Sequence, residues 1–178
     1  MKTWMMIFCL SAFTQLAAAK LPKADWQIKS GTLTYHVHYP VKNFVGTAKN
    51  VKGKGKCEAG HCHFLIAVPV KDFTSGDGNR DNHMLEVTKG ATFTMVTVRV
   101  QFAENDSLEK LEAKAVVEFA GQTHIYEKLP IKVTIAGAEA VTQGQVPLKL
   151  SHFGVERPSL FAVEIDDLVP VDFELHWL

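Results

Sequence analysis

Apolar and polar residues alternate with a period of two along most of this chain. Side chains of a β-strand point alternately to the two faces of a sheet, so each alternating segment would present one apolar row to a core. With residues 44–51 added to the clearest segments, the pattern predicts about eight strands. The clearest segments are residues 33–41, 62–70, 96–102, 113–119, 131–135, 146–150 and 169–177.

Short polar segments separate these rows, as expected for hairpins. The predicted turns are Gly53-Lys54-Gly55, residues 104–107, Gly121-Gln122 and Gln143-Gly144. No long segment repeats with the period of an amphipathic helix, so only short helical turns are expected. Their predicted places are residues 71–75, 80–88 and 158–163. The chain is therefore predicted to form one all-β domain.

Both a sandwich and a closed barrel satisfy this pattern. Ala113 and Ala115 lie in the same apolar row as Phe119, and small side chains on one wall of a barrel leave room for a small ligand. Alanine opposite phenylalanine also occurs in an ordinary filled core. A sandwich with such a core would be an interaction module without a ligand.

The first 19 residues have the features of a secretory signal peptide. Lys2 is followed by an apolar run at residues 4–16 and by the small residues Ala17-Ala18-Ala19. The run is shorter than the roughly 20 residues that cross a bilayer, so no stable membrane insertion is expected. We expect a mature domain at residues 20–178 in the periplasm or outside the cell.

Charge does not point to a nucleic-acid partner. The chain has 19 basic and 19 acidic residues, and the lysines between residues 49 and 56 have no aromatic residues among them. A basic run without aromatic residues is more typical of a solvated hairpin tip than of a nucleic-acid footprint.

Cys57 and Cys62 are the two cysteines beyond the leader, and Glu-Ala-Gly-His between them would form a hairpin loop. In an oxidising compartment such a pair is expected to form a disulfide. The alternative is a metal-handling or redox-responsive site that uses these thiols with His61 and His63. Alternation places Cys62 on the opposite strand face from both imidazoles, which disfavours a shared metal.

Two further groups of polar residues are candidate sites. His36 and His38 would point the same way from one strand and could hold an ion, but two outward polar residues would look the same. Arg80 and Asp81 could form an ion pair that orients His83 towards a ligand headgroup. Alternatively, Asp81 caps a short helix and the other two residues tie the loop to a strand.

The sequence predicts no enzyme. It has no Gly-x-Ser-x-Gly elbow, and Asp166 and Asp167 are adjacent, so on a strand they would face opposite ways. An arginine, an aspartate and a histidine at a barrel mouth leave acid–base chemistry open as an alternative.

Five short motifs occur in an order that resembles the YceI family, whose members are secreted or periplasmic lipocalin-like proteins. The arginine, aspartate and histidine of the second motif correspond to that family's Arg-Asp-x-His signature. The motifs are Trp26-Gln27-Ile28-Lys29-Ser30, Asn79-Arg80-Asp81-Asn82-His83, Phe119-Ala120-Gly121-Gln122-Thr123, Ser151-His152-Phe153-Gly154-Val155 and Ile165-Asp166-Asp167-Leu168-Val169.

The resemblance implies an antiparallel eight-stranded lipocalin-like barrel whose apolar cavity holds an isoprenoid lipid or a quinone, with no other cofactor. The polar mouth, with Arg80 and His83, would meet the headgroup, and Met84 and Phe153 would lie beside it. An exposed edge strand would favour a homodimer. The inward rows predict the cavity wall as Tyr35, Phe44, Phe64, Val98, Phe102, Phe119 and Phe173.

Overall fold

The computed structural model describes residue 21 and residues 25–39, 42–160 and 163–178. The predicted signal peptide, residues 1–19, lies outside the described residues, and so does Val41 of the first alternating row.

The described residues are mostly β-strand, with one α-helix, α1 (Gly78–Val87), and 3₁₀ turns at Val70–Asp72, Leu108–Lys110 and Leu150–Phe153. The strands are β1 (Asp25–His38), β2 (Asn43–Ala48), β3 (Lys52–Glu58), β4 (His61–Pro69), β5 (Met95–Ala103), β6 (Leu111–Phe119), β7 (Gln122–Ala136), β8 (Glu139–Lys149), β9 (Ser159–Leu160), β10 (Val163–Glu164) and β11 (Leu168–Trp177).

Eight of the described strands close into an antiparallel barrel, as predicted. Strands β3 to β8 follow one another around the wall, and β11 joins β8 to β1. The first part of β1 pairs with β3, and its later part pairs with β2 along the same edge. A register shift between Ile28 and Ser30 keeps Trp26 inward at one end of β1 and Leu33 inward farther along it.

The predicted turns at Gly53–Gly55 and at Gln143-Gly144 are wrong. Gly53 and Gly55 lie inside β3, and Gly144 lies inside β8. A Cβ at Gly55 would collide with the ring of Phe64, and a Cβ at Gly144 would lie 2.6 Å from Cζ of Phe173. These glycines therefore make room for side chains of the neighbouring strand and do not turn the chain.

The helical turns agree with the expectation only in part. The turn expected at residues 80–88 is the three-turn helix α1, which begins after the N-cap residue Asp77. The turn expected at residues 158–163 is wrong where the structure describes it, because Ser159–Leu160 pairs with Val163–Glu164 as two short strands. Among the described residues, no helix is long and apolar enough to cross a membrane.

The two ends of the barrel differ. The end with the β3–β4 hairpin is filled by Trp26, Leu108 and Trp177, which are all buried. At the other end, α1 and the segment after β8 cover the opening between the strands. We call these the closed end and the mouth.

A candidate lipid-binding cavity

The apolar cavity inside the barrel consists of two adjoining parts. The part nearer the mouth, the upper chamber, measures about 470 Å³, and the lower chamber, towards the closed end, measures about 90 Å³. Both chambers are lined by Leu33, Val98, Val146 and Val171, which therefore lie at the boundary between them. The larger volume is within the range of ordinary small-molecule sites.

Ten of the eleven residues that the sequence predicted for ligand binding line this cavity. Around the upper chamber lie Tyr35, Phe44, Arg80, His83, Met84 and Phe119. The lower chamber is lined by Phe64, Phe102 and Phe173, and Val98 lines both chambers. Whether these residues contact a ligand stays a prediction.

Phe153 lies elsewhere than predicted. It was expected at the mouth, but its side chain is only 1 % exposed and does not line either chamber. Its ring centre lies 5.6 Å from that of Phe119, in an edge-to-face arrangement. Phe153 thus supports the cavity wall from behind.

Sequence reasoning missed the part of the wall that does not come from alternating strands. Val155, Pro158 and Ile165 line the upper chamber from the segment that follows β8. This segment has no period of two, so alternation could not find it. Val155 and Ile165 belong to motifs that carry the family resemblance, and that was the available signal.

The side of the mouth formed by α1 is held in place by two aspartates. Asp77 caps the helix, since its carboxylate accepts hydrogen bonds from the backbone N–H groups of Asn79 and Arg80. Asp81 accepts hydrogen bonds from the hydroxyl of Thr74 and from the backbone N–H and hydroxyl of Ser75. The prediction that Asp81 is the helix cap is therefore wrong, because Asp77 has that role.

These contacts change the acidity of the neighbouring groups. Burial raises the pKa of the Asp81 carboxyl, but the hydrogen bonds from Ser75 and Thr74 outweigh burial and leave the pKa below its usual range. Burial, and then the negative charge of Asp81, raise the pKa of the Tyr35 hydroxyl in the chamber below. Asp81 is thus an anion and Tyr35 a neutral hydroxyl at neutral pH.

Arg80 is engaged within the protein. Its Nε–H donates to Oγ of Ser75 at 2.8 Å, and an Nη2–H donates to the Ser75 carbonyl at 3.2 Å. Its ion pair is with Asp77, at 3.9 Å, and not with Asp81 as predicted. The guanidinium also lies over the ring of Phe44, 4.5 Å from its centre. His83 has no role in this cluster, because its Nδ1 lies 3.3 Å from Glu86 and its side chain is 55 % exposed.

The cysteine pair forms the expected disulfide. Cys57 and Cys62 are directly opposite each other in the β3–β4 hairpin, with their Cα atoms 4.0 Å apart. Cys62 is fully buried, whereas His61 and His63 on either side of it are exposed, with ring centres 6.5 Å apart. The sulfurs are bonded to each other and face away from both imidazoles, so this hairpin does not have the geometry of a metal centre.

The other histidines of the barrel have protein partners. His36 lies 2.8 Å from Asp172, and His38 lies 2.5 Å from Asn43. The rings of His124 and His152 stack with their centres 3.9 Å apart, a contact that sequence reasoning did not find. Among the described residues, no group of three or more His, Cys, Asp or Glu side chains is placed to hold a metal ion.

Solved structures show the same fold. A polyisoprenoid-binding domain from Saccharophagus degradans is similar with a TM-score of 0.71 and 18% identity, over 87% of this chain and 98% of that one. BcnA of Burkholderia cenocepacia is similar with a TM-score of 0.70 and 17% identity, over 82% of this chain and 95% of that one. None of the curated proteins matches this chain.

A family model also matches the sequence over nearly its whole length. The model of the YceI-like domain matches residues 17–177, which is nearly the full length of the chain. The barrel closure, the apolar cavity and the position of the Arg-Asp-x-His residues on α1 at its mouth agree with this match. The chain belongs to the YceI-like family.

Proposed function

We propose that this protein binds an isoprenoid lipid inside its barrel, outside the cytoplasm. The observation that carries the proposal is the upper chamber, about 470 Å³ of space with an almost wholly apolar wall. The similar domain from Saccharophagus degradans is described as polyisoprenoid-binding. The predicted signal peptide supports the location.

The driving force would be burial of the chain. Removing a CH₂ group from water contributes about 0.8 kcal/mol, so affinity would grow with the length of chain that the cavity accepts. The wall offers apolar side chains and few hydrogen-bonding groups, which suits a hydrocarbon and disfavours a sugar or a nucleotide.

The charges at the mouth favour a neutral headgroup. Arg80 already pairs with Asp77 and donates to Ser75, and His83 lies beside Glu86. To pair with Arg80 or His83, which line the upper chamber, a diphosphate would have to displace these existing contacts. A quinone ring or a free prenol has no net charge, so we propose a ligand of this kind.

Binding can be measured through tryptophan emission. Trp26 and Trp177 are the only tryptophans of residues 20–178, and both line the lower chamber. Delipidated protein would be titrated with a prenylated benzoquinone, and the same benzoquinone without its prenyl chain would be the control. We expect saturable binding of the first compound only. Equal binding of both would contradict a chain-binding cavity.

The preference for a neutral headgroup is tested by comparing two ligands that share one chain. A prenol and the diphosphate of the same chain would be titrated in parallel at low salt, where charge effects are largest. We expect the prenol to bind more tightly. Tighter binding of the diphosphate would contradict the neutral headgroup and leave the chain-binding site intact.

A further inference from the structure

Three aromatic side chains of the described wall are paired across strands with glycine. Tyr35 lies opposite Gly46, Phe64 opposite Gly55 and Phe173 opposite Gly144. In each pair a Cβ on the glycine would collide with the aromatic ring. Each ring therefore occupies the place where its partner's side chain would otherwise be.

Backbone conformation does not account for these glycines. The glycines with positive φ among the described residues are Gly60, Gly76, Gly121, Gly137 and Gly154, and none of them is in an aromatic pair. What the paired positions require is space, and alanine would have an acceptable backbone there.

The pairs are divided between the two chambers. Tyr35 lines the upper chamber, while Phe64 and Phe173 line the lower one. A methyl group on the glycine would push the ring away from the wall, and the free space on that side of the ring is the cavity. The effect should therefore depend on which chamber the ring faces.

The two chambers differ in how much chain they can hold. A water molecule occupies about 30 Å³ in the liquid, and we take the same volume for one carbon group of the chain. On that basis the upper chamber holds roughly 16 carbons and the lower chamber roughly three. Chains of up to about three isoprene units would fit in the upper chamber alone. The end of a longer chain must pass between Leu33, Val98, Val146 and Val171.

We propose that Gly55 and Gly144 determine which chain lengths the protein accepts, because they leave space for Phe64 and Phe173 beside the lower chamber, whereas Gly46 sets the space of the upper chamber for chains of every length. The proposal rests on the proposed function, since it concerns the same cavity. It assigns chain-length selection to residues that need not contact the ligand.

The test is a titration with all-trans prenols whose chains grow by one isoprene unit at a time, followed by tryptophan emission and by a competition assay. For the unsubstituted protein, emission should change only when the chain is long enough to reach Trp26 and Trp177 in the lower chamber. Gly144→Ala should weaken binding of the long prenols by about tenfold or more, because each expelled CH₂ costs about fourfold in affinity. The affinity for short prenols should change by less than about twofold.

Three further variants distinguish a loss of cavity volume from a general loss of stability. Gly46→Ala should weaken the binding of short and long prenols alike, because every chain occupies the upper chamber. The double variant Gly144→Ala/Phe173→Leu should regain long-chain binding, since the smaller side chain gives the space back. Gly78→Ala is the matched control, because an added Cβ there meets nothing within 4 Å, and its prenol series should equal that of the unsubstituted protein.

The outcomes distinguish the two proposals. If the unsubstituted protein binds prenols but Gly144→Ala weakens short and long chains equally, the chain-length proposal is overturned and the proposed function stands. If the unsubstituted protein binds neither prenols nor prenylated quinones, both are overturned; if it binds only prenylated quinones, the same chain-length series is run with them. Should Gly144→Ala not fold, Phe173→Leu alone must strengthen binding of the long prenols relative to the short ones, and no change in that ratio overturns the proposal.

Discussion

The guanidinium of Arg80 lies over the ring of Phe44, with its carbon 4.5 Å from the ring centre. This contact joins α1 to β2, while hydrogen bonds from the same guanidinium to Ser75 hold the helix to the segment before it. The arginine of the family signature thus fixes the side of the mouth that α1 forms. Its role in this chain is to position the helix, and any contact with a headgroup would be additional.

We expect Arg80→Lys to loosen the mouth. Lysine cannot reproduce the planar contact with Phe44 together with the two hydrogen bonds to Ser75, so unfolding free energy should fall by about 1–2 kcal/mol. Ligand dissociation should become faster. Urea unfolding and stopped-flow release of a bound prenylated quinone measure the two effects. Lys42→Gln is the control, because Lys42 lies 5.6 Å from the same ring centre and is exposed; an equal effect of both variants would contradict the account.

Asp81→Asn should destabilise the protein at neutral pH by about 1–2 kcal/mol, through the weakened bonds to Ser75 and Thr74. The pKa of Asp81 is lowered in the folded protein, so its contribution is complete above the unfolded value of about 3.9 and is lost as the pH falls through the folded value. Unfolding curves at a series of pH values should therefore show the two proteins converging below about pH 4.

Asp77→Asn provides the comparison for that series. Asparagine caps a helix about as well as aspartate, so this variant should stay within about 0.5 kcal/mol of the unsubstituted protein. A difference between Asp81→Asn and the unsubstituted protein that does not change with pH would show that the Asp81 charge is unimportant.

Phe119→Trp should reduce the capacity of the upper chamber. The ring of Phe119 lines that chamber and is supported from behind by Phe153, so a larger ring can extend only into the cavity. We expect prenol affinity to fall by about tenfold with a modest loss of stability, about 1–3 kcal/mol. Val116→Trp, at an outward position of β6, should leave affinity unchanged. Unaltered uptake by Phe119→Trp would remove Phe119 from the ligand-facing wall.

Cys57→Ser should lower the unfolding free energy by about 2 kcal/mol, the loop-closure contribution of a short disulfide loop. Lipid uptake should persist, because Cys57 and Cys62 lie in the hairpin at the closed end and do not line either chamber. Thermal unfolding and prenol titration, each with and without reductant, measure this. Loss of uptake in the reduced protein would favour the redox-responsive alternative.

Alternation identified most strands because each has one face on the cavity and one on solvent, whereas the closed barrel was implied by the family resemblance and not by alternation, which a sandwich satisfies equally. Val98, Phe119 and Phe173 line the cavity as expected, whereas Ala113 and Ala115 in the row of Phe119 are buried outside it. The strands β3 and the middle of β8 were missed because Gly55 and Gly144 read as turn residues. These positions require glycine because an aromatic ring on the neighbouring strand occupies the space of a side chain. A single sequence does not reveal that contact.

The mouth was predicted less well than the wall, for physical reasons. No residue of α1 is fully buried, so the helix has no strong apolar stripe from which its length could be predicted. Phe153 follows a strand in sequence, and a 3₁₀ turn takes it behind Phe119. Positions that depend on a contact between distant segments cannot be derived from local periodicity.

The most direct test of lipid binding is native mass spectrometry of the full-length gene product purified from the secretory compartment, followed by solvent extraction. We predict a noncovalent adduct of several hundred daltons that extracts as a neutral isoprenoid and is less abundant on Phe119→Trp. A bare polypeptide mass, together with no uptake of prenols or prenylated quinones by the delipidated protein, would contradict it.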